Sequence, residues 1–265
     1  MSDLPQIMVA PNGARRTRQD HPALPITIEQ TVETAKACFV AGAGGIHAHV
    51  RDGQGSHTLD SGLYRELLAE LNRAVPQMLV QITTEAVGVY SSDQQMKLVS
   101  DLQPAHVSIA MREITQGQSE AELSRFFNWA AEAGIQVQHI LYAPEEIQKF
   151  ARLVEAGIIP VERLETILVL GQYGIARDSQ PDDLSAYRHE FKGALSGSGW
   201  CVCAFGRNET ACLMRAIKEG GKARIGFENN LIDADGSLSP SNEARVRELV
   251  AALAADGVPG SSSAP

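Results

Sequence analysis

The sequence has no apolar run of the ~18 residues that a membrane-crossing helix requires. Its N-terminus, Met1-Ser2-Asp3-Leu4-Pro5, has neither the basic segment nor the long apolar segment of a secretory signal, so a cytoplasmic protein is expected. Basic charge is in short supply: 23 Lys and Arg stand against 32 Asp and Glu, for a net charge of −9. Such a chain has no general basic field, so neither nucleic acid nor a membrane surface is expected as a partner. Any anionic ligand has to be met by a local cluster. Cysteine is scarce, at four residues. Cys201 and Cys203 form a C-x-C pair inside an apolar run, but no second pair completes a thiolate metal site, and reduced, buried thiols are expected. The remaining composition, 44% hydrophobic and 21% charged, excludes disordered, collagen-like and disulfide-scaffold chains.

What is present is an alternation. Short apolar runs cover residues 7–10, 45–50, 79–83, 106–110, 135–141, 166–170, 200–205 and 223–227. Helical segments follow them at 28–41, 63–74, 93–101, 120–133, 145–155, 184–192, 209–219 and 242–254. Several helices stop at glycine, as C-terminal capping favours, and the strands read as buried on both faces. Eight strand–helix units predict an α/β fold of the (β/α)8 TIM-barrel type, with residues 1–265 as one domain. The small, polar tail from about residue 257 is expected to be disordered.

One constellation points to chemistry. On the second strand His47 and His49 alternate with Ile46, Ala48 and Val50, so both imidazoles face the barrel interior near the strand's C-terminal end. Barrel active sites lie at that end. The eighth strand leads into Glu228, and alternate strands share one layer of inward side chains, so His47, His49 and Glu228 are expected to meet at one ion. Two imidazoles and a carboxylate suit a catalytic Zn²⁺ or a facial Fe²⁺ site. A capping or salt-bridged carboxylate is the other use of Glu228. Arg224, four residues earlier, faces inward if the strand is regular and then needs a carboxylate or a substrate anion as partner. Thr83, Thr84 and Ser108, on the third and fourth strands, offer hydroxyls to substrate, although strand propensity alone also selects threonine. The run Arg15-Arg16-Thr17-Arg18 sits in the first loop of the functional rim.

Together these pieces resemble the 3-keto-5-aminohexanoate cleavage enzyme family, the β-keto acid cleavage enzymes. The matching segments are Ala10-Pro11-Asn12-Gly13-Ala14, Leu24-Pro25-Ile26-Thr27, Ala41-Gly42-Ala43, His47-Ala48-His49-Val50-Arg51, Val169-Leu170-Gly171, Gly206-Arg207, the stretch from Gly220 to Asn230, and Ser241-Asn242-Glu243. The resemblance implies a zinc-dependent barrel, a homo-oligomer and usually a homotetramer. Its implied reaction takes a β-keto acid and acetyl-CoA to acetoacetate and a new acyl-CoA. It assigns zinc to His47, His49 and Glu228, places Arg224 in the catalytic machinery, and puts Thr83 where a serine contacts substrate. Family members continue into a further C-terminal helical stretch, which this sequence is expected to lack.

Three departures from the family pattern bear on the reaction. Asn229 stands where the family has an aspartate, its presumed base, and an amide takes no proton at neutral pH. Ile140, beside Gln138 and His139, stands where the family often has a glutamate. Arg15 replaces an acid that meets a substrate amine, which points to a substrate whose distal end is anionic or uncharged. The expected activity is therefore that of a divergent member with another base, among Glu85, Asp52 and His139. The alternatives are an amidohydrolase-like metal-dependent hydrolase and a non-catalytic metal-containing ligand-binding barrel.

Overall fold

The computed structural model describes residues 4–174 and 177–258; residues 259–265, most of the tail expected to be disordered, lie outside the described residues. The strands are β1 (Ile7–Val9), β2 (Gly45–Ala48), β3 (Val50–Arg51), β4 (His57–Thr58), β5 (Leu79–Thr83), β6 (His106–Ala110), β7 (Gln136–Leu141), β8 (Glu165–Leu170), β9 (Gly199–Ala204) and β10 (Lys222–Ile225). The helices are α1 (Ile28–Val40), α2 (Ser61–Ala74), α3 (Ser92–Leu102), α4 (Met111–Ile114), α5 (Glu120–Glu132), α6 (Pro144–Glu155), α7 (Asp183–Glu190), α8 (Glu209–Lys218) and α9 (Asn242–Ala255). Eight parallel strands close in the order β1-β10-β9-β8-β7-β6-β5-β2, with β3 and β4 forming a separate antiparallel ribbon. This is the (β/α)8 barrel that the alternation predicts.

Local chemistry sets the helix starts. Thr27 with Gln30, Ser91 with Gln94 and Ser119 with Glu122 form reciprocal capping boxes at α1, α3 and α5. Asp60 and Ser241 cap α2 and α9, and Pro144 opens α6, where a missing N–H costs nothing.

The strands divide their side chains between two layers. Outward residues such as Ile46, Ile82, Val107, Ile109 and Val202 join the helix faces in the main core. Inside the barrel lies a smaller apolar cluster of Ala110, Ile140, Ile167, Val169, Cys201 and Cys203. All four cysteines are free and buried, as their scarcity and apolar setting predict. Among the described residues, no helix is long and apolar enough to cross a membrane.

Two strands stop two residues before the end that the hydrophobic pattern predicts, both at the functional rim. β2 stops at Ala48 because the Asn12 side chain takes over the backbone of the next residue. Its Nδ2 donates to the His49 carbonyl at 3.0 Å, and its Oδ1 accepts from the His49 N–H at 3.4 Å. Val50 and Arg51 then pair with Thr58 and His57 instead of continuing the barrel. β10 stops at Ile225 because Gly226 has φ of +139°, and a Cβ there would stand 2.6 Å from the Ala10 carbonyl oxygen. Only glycine tolerates that approach. The short helix α4, directly after β6, was not anticipated by the pattern.

Candidate active site

Both shortened strands deliver side chains of the expected metal site. His47 lies on β2 beside Gln81 of β5, and its Nδ1–H donates to Gln81 Oε1 at 2.8 Å. Gln81 Nε2 in turn donates to Gln138 Oε1 at 3.1 Å. This chain fixes the tautomer, so His47 Nε2 is left with its lone pair free. Burial, followed by the Arg224 charge, holds the His47 pKa well below its usual value, so the ring is neutral as a ligand must be. His49, held by Asn12, brings its Nε2 to 3.2 Å from His47 Nε2.

Glu228 arrives through the turn at Gly226. Its N–H donates to the Ala10 carbonyl at 3.0 Å, and its own carbonyl accepts from the Tyr173 hydroxyl. Asn242 staples the same turn, with Oδ1 accepting from the Phe227 N–H at 2.9 Å and Nδ2 donating to the Pro11 carbonyl at 3.0 Å. Glu228 Oε2 then stands 3.5 Å from His47 Nε2 and 3.4 Å from His49 Nε2. Burial opposes the Glu228 carboxylate, but the Arg224 charge and the two histidines outweigh it, and its pKa falls well below the usual range.

These three residues are, among the described residues, the only group of three or more His, Cys, Asp or Glu side chains placed to share a metal ion. Ligand atoms held about 2.0–2.1 Å from a tetrahedral zinc stand about 3.3–3.4 Å apart. The observed separations of 3.2, 3.4 and 3.5 Å fit that spacing. Among the described residues Glu228 Oε2 is buried with no hydrogen-bond donor. A cation answers that deficit.

Arg224 is buried as expected and meets its carboxylate: Nη2 donates to Glu228 Oε1 at 3.1 Å. Its Nε and Nη1 are buried and without a partner among the described residues. Arg224 lines a cavity of about 220 Å³, together with Arg15, Glu85, Arg112, Glu113, Tyr142, Tyr173, Glu228 and Asn229. Asn229 is buried, its Oδ1 has no partner among the described residues, and its carbonyl accepts from Arg16 Nη2 at 3.1 Å. Arg15 is half exposed, with Nε 3.8 Å from Glu85 Oε1, and its loop is tied down by Arg51, which donates to the Ala14 carbonyl at 2.9 Å.

Of the three alternative bases, only Glu85 reaches the cavity. Its Oε2 lies 3.9 Å from His49 Nδ1, its carboxylate makes no hydrogen bond among the described residues, and burial raises its pKa. Asp52 instead turns the β3–β4 ribbon, with Oδ1 accepting from Gln54 and Ser56 N–H at 2.9 Å each. His139 points outward against Phe127 and Phe150, and burial lowers its pKa to about 3. The further metal histidine that an amidohydrolase-like site needs on this strand is therefore not supplied by His139. Thr83, Thr84 and Ser108 stand outside the cavity wall. Thr83 Oγ1 accepts from the Glu85 N–H at 3.1 Å, Thr84 Oγ1 donates to the Ser108 carbonyl at 3.3 Å, and Ser108 Oγ is buried.

Among the cavity residues that were not anticipated are Arg112 and Glu113 on α4, Tyr142 after β7, and Gln172 and Tyr173 after β8. Each sits within three residues of a strand end, and that position is the signal that sequence offers for them.

Comparison with known proteins follows this geometry. Residues 6–263 match the family described as beta-keto acid cleavage enzyme. The 3-keto-5-aminohexanoate cleavage enzyme of Fusobacterium nucleatum subsp. nucleatum is 27% identical over 245 residues, covering 90% of this chain and 87% of that protein. The 3-oxoadipate:acetyl-CoA acetyltransferase of Cupriavidus necator is 25% identical over 253 residues, covering 92% and 87%. Among solved structures, the ternary complex of ObcA with C4-CoA adduct and oxalate superposes with a TM-score of 0.69 at 14% identity, a likeness of fold. That alignment covers 89% of this chain and 65% of ObcA, less than two thirds of its length. With the barrel, the histidine pair and the glutamate after the last strand in place, the match over nearly the whole chain has one consequence: this chain belongs to the beta-keto acid cleavage enzyme family.

Proposed function

We propose that this chain is a zinc-dependent β-keto acid cleavage enzyme that converts a β-keto acid and acetyl-CoA into acetoacetate and a new acyl-CoA, with Glu85 as its base. The observation that carries the reading is the convergence of His47 Nε2, His49 Nε2 and Glu228 Oε2 beside two unpaired, buried donors of Arg224. Zinc bound there supplies Lewis acidity toward the keto and carboxylate oxygens of the substrate.

The protein's own groups supply the rest. Arg224, with Nη2 on Glu228 and its other donors unpartnered among the described residues, offers the substrate carboxylate a fixed positive charge and an N–H donor. Glu85 removes a proton from the carbon between the keto and carboxylate groups. That carbon attacks the thioester carbonyl, and CoA leaves as thiolate. The thiolate then attacks the original keto carbon, the carbon–carbon bond breaks, and the proton returns from Glu85 to the acetoacetate carbon. Atoms balance without a further reactant. Asn229, whose amide takes no proton, holds a hydrogen-bonding position at the cavity floor. Arg15, with Arg112 across the mouth, favours a substrate whose distal end is anionic or uncharged. The homotetramer implied by the resemblance belongs to the same proposal, and sedimentation analysis tests it.

The direct test is a panel of β-keto acids with acetyl-CoA and added zinc, reading acetoacetate. Release that depends on both co-substrate and zinc is expected. Hydrolysis without CoA, or ligand binding with no turnover by the zinc-loaded protein, would overturn the reading.

A further inference from the structure

We infer that a groove on the outer wall of the barrel, between α4–α5 and α6, holds the phosphate-bearing nucleotide end of acetyl-CoA. The inference rests on the acetyl-CoA reading above and says where the non-reacting part of that co-substrate binds.

The reaction cavity, at about 220 Å³, is too small for it. Sites for drug-sized ligands run to ~300–1,000 Å³, and CoA is larger than most such ligands. The thioester enters the cavity and the nucleotide has to leave it across the rim. Arg112 marks one exit. Its guanidinium stacks 3.5 Å from the centre of the Tyr142 ring, and the residue lines both the reaction cavity and a second space of about 510 Å³ outside it. α6 starts at the rim, three residues after β7 ends. Lys149 and Arg152, five and eight residues beyond Pro144, therefore descend the outer wall by about 7.5 and 12 Å. Being three residues apart, they share one helix face. Leu123, Phe150 and Leu153 complete the groove with an apolar surface.

The charges are arranged for an anion. Arg112, Lys149 and Arg152 are exposed, and among the described residues none of them makes an ion pair. Several helix cations elsewhere are paired locally, Lys36 with Glu33, Lys97 with Asp101, Arg215 with Glu219 and Arg247 with Glu243, while Arg65, Arg125 and Arg188 are scattered singly on other helices. Two acids share the groove. Glu146 is engaged, its Oε2 accepting from the Tyr142 N–H at 2.9 Å, and Glu120 sits in the first turn of α5. Cations above an apolar floor suit a nucleotide, with phosphates on the guanidinium and ammonium groups and the purine on the hydrocarbon. In a protein of net charge −9 this is the local cluster that an anionic co-substrate requires.

The test uses the zinc-loaded enzyme and the double variant Lys149→Ala/Arg152→Ala. Both side chains are exposed on a helix that alanine favours, so the fold is retained, which circular dichroism checks. Acetoacetate release is measured with acetyl-CoA and with S-acetylpantetheine, which lacks the nucleotide. Binding of adenosine 3′,5′-bisphosphate is measured separately by calorimetry. The variant's KM for acetyl-CoA should rise about 10–100-fold with kcat unchanged, the signature of lost binding that is equal in ground and transition states. Its KM for S-acetylpantetheine should not move, and its binding of the bisphosphate should fall by a similar factor. An unchanged KM for acetyl-CoA, or an equal rise for both thioesters, overturns the groove and leaves the reaction intact. Inorganic phosphate binding as tightly as the bisphosphate also overturns it. Bisphosphate binding that depends on Lys149 and Arg152, without turnover of any β-keto acid, upholds the groove and sinks the reaction.

Discussion

Replacing Glu85 by glutamine removes a proton acceptor while keeping its shape. The Glu85 carboxylate makes no hydrogen bond among the described residues; Arg15 Nε lies 3.8 Å and His49 Nδ1 3.9 Å from it. Its backbone N–H still reaches Thr83 Oγ1 in the variant. Folding therefore loses little, since an exposed or loosely paired charge contributes roughly 0–1 kcal/mol. Catalysis loses the base, worth about 10²–10⁴-fold, or about 2.7–5.4 kcal/mol at 1.36 kcal/mol per decade. Two assays separate the causes. Acetoacetate release reports the whole cycle, and enzyme-dependent deuterium uptake at the carbon between the two carbonyl groups reports proton removal alone, without acetyl-CoA. Both should fall together in Glu85→Gln at full zinc content. Adding Asn229→Asp in the same chain restores a carboxylate at the cavity floor, where Asn229 now leaves its Oδ1 buried and without a partner among the described residues. At least tenfold recovery is expected. A loss smaller than tenfold in Glu85→Gln with zinc still bound refutes Glu85 as the base.

Metal analysis should find about one zinc per chain, and His49→Ala or Glu228→Ala should lose it. Gln81→Ala, which frees the Nδ1 side of His47, should keep the ion with affinity weakened about 10–100-fold in a chelator competition. Arg15→Glu should shift kcat/KM toward aminated β-keto acids, and faster cleavage of an aminated than of a dicarboxylic substrate by the unmodified enzyme would contradict the role given to Arg15. Glu209→Ala should cost about 1–3 kcal/mol in urea unfolding, because it takes from the buried Arg245 a carboxylate held at 2.8 Å while Asp233 and Glu248 still pair with that guanidinium. His139 is held neutral by burial, with its pKa lowered from 6.5 to about 3. The unfolded chain takes up that proton below pH 6.5, so stability should fall with decreasing pH between about 6.5 and 3, and His139→Leu should remove about 1.36 kcal/mol per pH unit of that slope. Parallel urea midpoints for both proteins across this range would refute the assignment.

The barrel was legible because each strand–helix unit repeats one hydrophobic pattern, and most helices open on a local signal such as the Ser119–Glu122 box or Pro144. The convergence of His47, His49 and Glu228 was legible for a different reason: inward alternation on β2 and the shared layer of even strands need only residue parity. What parity misses is where strands stop. The ends of β2 and β10 are decided by Asn12 and Gly226, through contacts with residues far away in the chain. Their effect on the site is small, since the turn at Gly226 returns Glu228 to Arg224 even though the strand is not regular. The cavity mouth was less legible. α4 is four residues long, too short for any periodicity, and Tyr142 and Tyr173 carry no pattern beyond their place after a strand. His139 and Asp52 are polar residues near the right strand ends, yet one faces the helices and the other turns a ribbon.

The two histidines come from the first fifth of the chain and the glutamate from its last fifth, and they meet across the seam where β10 pairs with β1 and β1 with β2. The Ala10 and Pro11 carbonyls accept from Glu228 and Asn242 at this seam. A chain that has folded its middle strands but has not yet sealed this edge owns only half a binding site. Zinc bound as proposed would gain its full set of ligands at the moment of closure and act as a clasp on the cylinder. Its stabilisation should appear in the rate at which the seam opens, lengthening the life of the native protein without hastening its formation.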